Sequence, residues 1–223
     1  MGGEPIQGIV FDFDGVLVES GDIKTRAFAH LFAHEDPQVT ERIIAYHLAN
    51  GGVSRFEKFR VIYRDILHRI LDDATFHRLC VEFAAQVVDY VVAAPWVPGA
   101  REFLERQAGR YRMFIISGTP EIELQQIVHR RVMERWFTDV RGSPDTKETL
   151  FASVMARHHL KPNDLVFVGD APSDWAASQN VGVPFIWRHH AEGVQELPGF
   201  SGPTIRSLWE LESSLSPCVT LRR

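Results

Sequence analysis

A short apolar run that ends in two acids constrains the fold of this chain more than any other feature. Residues 6–11 are mostly apolar, as in a strand buried on both faces of a parallel sheet. Asp12 and Asp14 follow directly, with Gly15 behind them. In open α/β sheets ligands bind outside the carboxyl ends of the strands, and oxygen ligands there suit a hard cation such as magnesium. The simpler alternative is an ordinary Asp-Gly turn, because such turns are common.

The next part of the chain has a different pattern. From about Asp22 to Val92, apolar residues recur at helical spacing, with breaks at residues 36–37 and 50–52. This pattern predicts a small bundle of antiparallel helices. It interrupts the chain directly after the first predicted strand.

Beyond residue 95, strand-like and helix-like segments alternate. The predicted strands are residues 113–116, 137–141, 165–168 and 183–187, and the predicted helices include residues 121–130, 172–180 and 207–213. Such alternation predicts a parallel sheet with helices on both faces. We therefore expect an α/β core formed by residues 1–19 and 95–223. Residues 20–94 would be a helical cap inserted over the carboxyl edge of the first strand.

Composition excludes several classes of protein. The chain has 223 residues and a formal net charge of −5, which argues against a general nucleic-acid binder. No apolar run is long enough to span a bilayer, and the first residues lack the pattern of a signal peptide. Cys80 and Cys218 are far apart and indicate reduced thiols. We expect a cytoplasmic monomer or homodimer with no nucleic-acid or membrane partner.

Polar residues follow the predicted strands in a fixed order. They are Asp12 and Asp14, then Ser117, then Lys147, then Asp170 and Asp174. Each has a simple structural alternative. Ser117 could be a turn residue, Lys147 a solvated lysine at a helix start, and Asp174 a helix N-cap. The ten histidines show no ligand spacing linked to these positions, and we expect them at the surface.

Taken together, the four groups resemble the motifs of the haloacid dehalogenase (HAD) superfamily. The first motif resembles Asp12-Phe13-Asp14-Gly15-Val16-Leu17-Val18-Glu19-Ser20, and the fourth resembles Gly169-Asp170-Ala171-Pro172-Ser173-Asp174. Ser117 and Lys147 fit the second and third. The closest likeness is to members with a helical C1-type cap, the group of phosphoglycolate phosphatases and β-phosphoglucomutases. The resemblance covers most of the chain and implies a Rossmann-like, HAD-type parallel sheet core.

The resemblance also implies roles for these residues. Asp12 would attack phosphorus and form an aspartyl-phosphate, while Asp14 would act as general acid and then general base. Magnesium would bind Asp12, the main-chain carbonyl of Asp14, Asp170 and Asp174. Lys147 would offset negative charge. The phosphate oxygens would be held by Ser117, Gly118 and Thr119.

One loop of the predicted cap resembles the specificity loop of the same family. Residues 50–55 read Asn-Gly-Gly-Val-Ser-Arg, and β-phosphoglucomutases carry a similar Gly-Val-Ser-Arg. We expect Arg55 to bind an anionic group of the substrate, with help from Lys58 and from Lys24 in the first cap helix. The alternative for Arg55 is an exposed arginine in the first turn of a helix.

The sequence therefore predicts a magnesium-dependent phosphatase that acts on a small phosphorylated metabolite. The alternative is a sugar phosphomutase, although Lys24 stands where the mutases have a histidine. Dehalogenases and phosphonoacetaldehyde hydrolases fit less well, because they lack a second acid at the position of Asp14. A non-enzymatic binding protein is disfavoured because every catalytic position is filled.

Overall fold

A computed structural model of the protein describes residues 6–189, 197 and 199–220, with side chains as far as residue 215. Within these residues, six parallel strands form one sheet: β1 (Gly8–Phe11), β2 (Arg112–Pro120), β3 (Asp139–Ser143), β4 (Leu165–Gly169), β5 (Phe185–Arg188) and β6 (Thr204–Ile205). Their order is β3-β2-β1-β4-β5-β6. The strand order reverses beside β1, because β2 and β3 lie on one side of it and β4, β5 and β6 lie on the other. α/β sheets bind ligands at such a point.

Some helices pack against the sheet, and others form the segment that follows β1. Their bounds are α1 (Gly21–Leu31), α2 (Pro37–Ala49), α3 (Arg55–Val61), α4 (Asp73–Ala93), α5 (Ala100–Gln107), α6 (Glu121–Arg130), α7 (Lys147–His158), α8 (Pro172–Val181) and α9 (Leu211–Thr220). A π-helical turn, Ile62–Ile66, continues α3. No helix in the described part of the chain is long and apolar enough to cross a membrane.

Successive side chains of β1 point alternately into two apolar cores. Ile9 and Phe11 are fully buried in one core, which they share with apolar residues of α1 to α6. Val10 is fully buried in the other core, together with residues of α7 such as Leu150 and Phe151. Because successive side chains of a strand point to opposite faces, a strand between two helical layers must be apolar throughout. This is why β1 shows no polar alternation.

The chain enters and leaves the helical segment at adjacent points. The amide of Glu19 donates to the carbonyl of Pro95 (3.0 Å), and the amide of Val97 donates to the carbonyl of Leu17 (3.0 Å). The segment between these points, residues 20–94, is therefore anchored beside the carboxyl end of β1. We refer to α1–α4 and their connections as the helical segment.

Several predicted boundaries are wrong in detail. β1 starts at Gly8 rather than residue 6, and β2 continues past Ser117 to Pro120. β3 occupies Asp139–Ser143 instead of residues 137–141, because a 3₁₀ turn at Glu134–Trp136 precedes it and the amide of Phe137 donates to the carbonyl of Glu134 (3.1 Å).

The tail also differs from its prediction. In place of a helix over residues 207–213, a 3₁₀ turn at Leu208–Glu210 leads into α9. The two-residue strand β6 was not predicted, because two residues show no periodicity. The expectations for residues 1–5, for His190 and for the Cys218 thiol concern parts of the chain outside the described residues.

Candidate active site

The two acids after β1 are held by main-chain contacts of the turn. The amide of Asp12 donates to the carbonyl of Val168 in β4 (2.9 Å), which continues the sheet by one residue. Gly15 has a φ of +75° and donates its amide to the carbonyl of Val18 (2.8 Å). Glycine takes this left-handed conformation without strain. Phe13 is fully buried between the acids, so both carboxylates are left to line the same cavity.

Three carboxylates form a compact cluster at the ends of β1 and β4. One oxygen each from Asp12, Asp170 and Asp174 lies within 4.8 Å of the others. Asp174, in the first turn of α8, accepts the amides of Asp170 (3.1 Å) and Ala171 (3.0 Å). Asp12 Oδ1 is buried and has no hydrogen-bond partner among the described residues. A buried carboxylate oxygen needs a partner, and a cluster of oxygen ligands fits a divalent cation such as magnesium.

Lys147 lies beside this cluster. Its Nζ is 3.5 Å from Asp12 Oδ2 and forms a closer ion pair with Asp174. Burial alone would lower the pKa of Lys147, but the charges of Asp12 and Asp174 outweigh burial and raise it. Burial raises the pKa of Asp12 well above its usual value; Lys147 opposes this effect, and the neighbouring acids add to it. The carboxylates thus repel one another, and a cation would relieve the repulsion.

Asp14 has a separate set of partners. Its Oδ1 accepts from Ser20 Oγ (2.6 Å), and its Oδ2 accepts from Thr119 Oγ1 (2.9 Å) and from Lys24 Nζ. Lys24 also donates to Thr119 Oγ1 (2.9 Å). Burial would raise the pKa of Asp14, but Lys24 and these hydrogen bonds together lower it. No pattern in the sequence predicted Ser20 as a hydrogen-bond partner of Asp14.

The loop at the end of β2 contacts the helical segment. Ser117 is buried, and its Oγ accepts the amide of Thr119 (3.1 Å). A Cβ atom at Gly118 would lie 3.2 Å from the carbonyl carbon of Gly52. Only glycine lets these two main chains approach so closely. Ser117, Gly118 and Thr119 therefore lie between the Asp14 turn and the loop before α3.

Arg55 and Lys58, from α3, line the same cavity on the side of the helical segment. Arg55 forms a bidentate ion pair with Glu123 of α6, in which Nη1 lies 2.6 Å from Oε2. Lys58 Nζ lies 3.0 Å from His47 Nδ1 and 3.2 Å from the His47 carbonyl oxygen. Arg55 is thus buried against an acid, unlike the exposed arginine of the alternative interpretation.

The expectation that the histidines lie at the surface is wrong for His47. This side chain is buried, and its ring stacks against Phe28 with centroids 4.4 Å apart. Burial, with the nearby charges of Lys58 and Lys24, lowers the pKa of His47 to about 3. His47 is therefore neutral at physiological pH. The apolar stripe of α2 contained His47, but a stripe does not show what its members contact.

A cavity of about 760 Å³ connects these groups. It is lined by Asp12, Asp14, Ser117 and Asp170 on the sheet side and by Lys24, His47, Arg55 and Lys58 on the side of the helical segment. All of the predicted groups except Lys147 and Asp174 border it. Those two residues lie directly behind Asp12, in contact with each other. The arrangement could place a phosphate ester next to a carboxylate nucleophile, with charged groups at both ends.

Two further residues of the site, Arg188 and Glu123, were not predicted from the sequence. Arg188, at the end of β5, donates to the Gly15 carbonyl (2.8 Å) and pairs with Glu19. A buried cation directly after an apolar strand was a usable signal. Glu123 gave no such signal, because an acid in the first turn of a helix is common.

Comparisons with known proteins agree with this geometry. Residues 9–188 match the family profile of haloacid dehalogenase-like hydrolases. A phosphoglycolate phosphatase of Vibrio parahaemolyticus is 27% identical over 189 residues, which cover 80% of this chain and 82% of that protein.

Two solved structures share the fold. A β-phosphoglucomutase from Clostridium difficile has a TM-score of 0.74 at 13% identity, with 96% of this chain and 99% of that chain covered. A HAD hydrolase from Bacillus subtilis bound to magnesium has a TM-score of 0.68 at 15% identity, with 96% and 100% covered. The profile match spans most of the sheet, the helical segment and the four groups of site residues, and the chain belongs to the haloacid dehalogenase-like hydrolase family.

Proposed function

We propose that the protein is a magnesium-dependent phosphatase of a small phosphorylated metabolite. The observation that carries this proposal is the environment of Asp12. Its carboxylate lines the cavity, has one buried oxygen with no hydrogen-bond partner in the described part of the chain, and is flanked by Lys147 and two further carboxylates. Such a carboxylate can serve as a nucleophile once its charge is balanced.

The reaction has two steps on Asp12. A carboxylate oxygen of Asp12 forms a bond to phosphorus, the bond from phosphorus to the leaving oxygen breaks, and Asp14 gives that oxygen a proton. Water then attacks phosphorus, Asp14 takes a proton from it, and Asp12 is released together with inorganic phosphate. For the first step Asp14 must carry a proton, which its contact with Lys24 disfavours because that contact lowers the pKa of Asp14.

The remaining groups bind and balance charge. The metal would be held by Asp12, the main-chain carbonyl of Asp14, Asp170 and Asp174, and when bound it would supply positive charge next to the phosphate. Lys147 keeps Asp12 and Asp174 close together despite their repulsion. Ser117, Gly118 and Thr119 lie where phosphate oxygens would be held by hydroxyl and main-chain donors.

The helical segment would act as the cap of this site. Its loop at residues 50–54 lies against the end of β2, and α3 supplies Arg55 and Lys58 to the far wall of the cavity, where the leaving group would lie. With Lys24, these residues would recognise the leaving group and exclude water during transfer. The Vibrio relative is named phosphoglycolate phosphatase, which makes phosphoglycolate the first substrate to test.

The test of this proposal is a screen of phosphorylated metabolites, with release of inorganic phosphate as the readout. Asp12→Asn keeps the shape of the side chain but removes the attacking charge, so turnover should fall to background. Chelation of magnesium should abolish the activity of the wild type, and added magnesium should restore it. Near-wild-type turnover by Asp12→Asn would show that Asp12 is not the nucleophile.

The same screen separates a phosphatase from a phosphomutase. A phosphatase releases phosphate in step with the loss of substrate. Interconversion of hexose 1- and 6-phosphates with little release of phosphate would instead identify a mutase, the alternative that the sequence raised.

A further inference from the structure

One buried lysine on the wall of the cavity has no acidic partner within ion-pair distance among the residues that the structure describes. Lys58 is 3% exposed and lines the cavity that Asp12 and Asp14 also line. Among the described residues, both of its hydrogen bonds are with His47, its Nζ lies 5.8 Å from the centre of the Phe28 ring, and no carboxylate lies within 4.0 Å of Nζ. A buried amine without a counter-charge is costly, so its position calls for an explanation.

His47 fixes Lys58 in place. The side-chain Nδ1 and the main-chain oxygen of His47 can accept two hydrogen bonds from Lys58 Nζ, at 3.0 and 3.2 Å. A protonated amine has three donors, so one donor remains without a protein acceptor among the residues that the structure describes. Because Nζ and Nδ1 are so close, both groups cannot readily carry a full charge at once.

The other two cations on this wall are different. The guanidinium of Arg55 is paired at both ends with Glu123, and Lys24 is paired with Asp14. Their charges are already balanced by protein carboxylates. An anionic group that enters the cavity would therefore gain most from Lys58, because no carboxylate of the described residues forms an ion pair with this lysine.

We propose that Lys58 binds a carboxylate on the leaving group of the substrate and takes up a proton when that carboxylate arrives. The inference depends on the proposed phosphatase activity and narrows its substrates to phosphate monoesters that carry a carboxylic acid. Protonated Lys58 offers one free hydrogen-bond donor and one positive charge. These suit a singly charged carboxylate better than a second phosphate group on the substrate, which would be doubly charged. Arg55 would also support this contact, because its pair with Glu123 holds α3 and thereby Lys58 in position.

The charges around Lys58 support proton uptake. Burial, followed by the charge of Lys24, lowers the pKa of Lys58 to about 7, whereas Asp14 opposes this change. His47 faces Lys58 from α2 as a neutral ring, and the Arg55–Glu123 pair adds no net charge. Lys58 is thus largely neutral in the free protein above pH 7. A bound carboxylate would raise its pKa and so favour the protonated amine.

The experiment compares two pairs of substrates that differ only in the acid. Phosphoglycolate is paired with ethylene glycol monophosphate, and 3-phosphoglycerate with glycerol 3-phosphate, so that a neutral hydroxymethyl group replaces each carboxylate. The wild type should prefer the acid in at least one pair. Lys58→Met should lower kcat/KM for that acid by about 10- to 100-fold, as expected for a lost hydrogen bond to a charged group, and should change the neutral partner little. Lys161→Met, an exposed lysine away from the cavity, is the control.

The pH dependence tests the uptake of a proton. In the wild type, the ratio of kcat/KM for the acid to kcat/KM for its neutral partner should fall as the pH rises above about 7, the pKa of Lys58. Taking this ratio cancels titrations of the phosphate and of the catalytic acids, which both substrates share. In Lys58→Met the ratio should not vary with pH. His47→Leu should weaken the acid preference, and His47→Gln, which retains an acceptor, should restore part of it.

The outcomes separate this inference from the proposed function. Equal losses on both members of a pair in Lys58→Met, or no preference for either acid in the wild type, would overturn the inference while phosphatase activity stands. If the wild type hydrolysed no phosphate ester, the proposed phosphatase function itself would be wrong. Unfolding curves of each variant establish that it is folded before its kinetics are compared.

Discussion

Most buried charges around the cavity are balanced in pairs by other parts of the protein. Lys147 is balanced by Asp12 and Asp174, and Lys24 by Asp14. Lys58 differs because its neighbour His47 is neutral. Folding therefore makes it harder to protonate Lys58, and the stability of the protein must depend on pH through this residue.

The free energy of unfolding should accordingly rise with pH above neutrality. The pKa of Lys58 is about 7 in the folded protein and 10.5 in its unperturbed state. Between these values the unfolded chain binds more protons than the folded protein, so raising the pH favours folding. Relative to Lys58→Met, the wild type should gain about 1 kcal/mol per pH unit above pH 7. Urea unfolding of both proteins across this range measures the difference, and parallel curves would contradict the prediction.

One loop brings the helical segment onto the sheet. Ser173 Oγ donates to the carbonyl of Gly51 (2.7 Å), and Gly52 has a φ of +73°. A Cβ atom at Gly52 would lie 3.2 Å from Ala171 Cβ and 3.3 Å from Lys147 Nζ. The loop thus touches both the fourth motif and the lysine beside Asp12. Its conformation and its contacts both require glycine.

Gly52→Ala should therefore impair catalysis more than it impairs folding. The added methyl group strains the left-handed backbone by about 1–2 kcal/mol and pushes the loop away from Lys147. We expect kcat/KM to fall by about 10-fold or more, since small displacements of positioning groups are costly. Gly109→Ala is the matched control, because Gly109 also has a positive φ but open space around its Cβ position. If both variants lose the same activity, backbone strain alone is responsible.

Two arginines fasten the helical segment to the rest of the molecule. Arg131, after α6, donates to the carbonyls of Val91 (3.0 Å), Val92 (2.7 Å) and Ala94 (2.8 Å) at the end of α4. Arg55 joins α3 to α6 through Glu123. Helix α6 and the residue after it thus hold the helical segment both near its end at Ala94 and above the cavity. Its position should govern how firmly the cavity is closed.

Glu123→Gln tests the second of these points. The substitution leaves the buried guanidinium of Arg55 without a counter-charge, which should lower the free energy of unfolding by about 1–3 kcal/mol. This loss is smaller than that for breaking a fully buried ion pair, because the Glu123 side chain is 19% exposed. Glu105→Gln removes the partner of the exposed Arg101 and should cost less than about 1 kcal/mol. Chemical unfolding of both variants measures the two costs. A loss for Glu123→Gln no larger than that for Glu105→Gln would show that the pair does not fasten α3.

The order of the site residues could be predicted because it follows from local patterns and sheet topology. Asp12, Ser117 and Asp170 each come after an apolar run, and the carboxyl ends of parallel strands meet at one edge. The helical segment could also be predicted, since its apolar spacing extends over whole helices. Exact strand limits were harder to predict, because local contacts such as the turn that Phe137 closes onto Glu134 decide where a strand begins.

Only the tertiary structure decided which partner each charged side chain takes. Arg55 and Glu123 are 68 positions apart, and Lys24 and Thr119 are 95 positions apart. No local pattern links such residues, because their meeting depends on how α1 and α3 lie over the sheet. The same packing buries His47 and, among the described residues, leaves Lys58 without a carboxylate in ion-pair contact. The sequence thus determined the fold and the order of the reacting groups, whereas the balance of charge within the cavity arises from long-range packing.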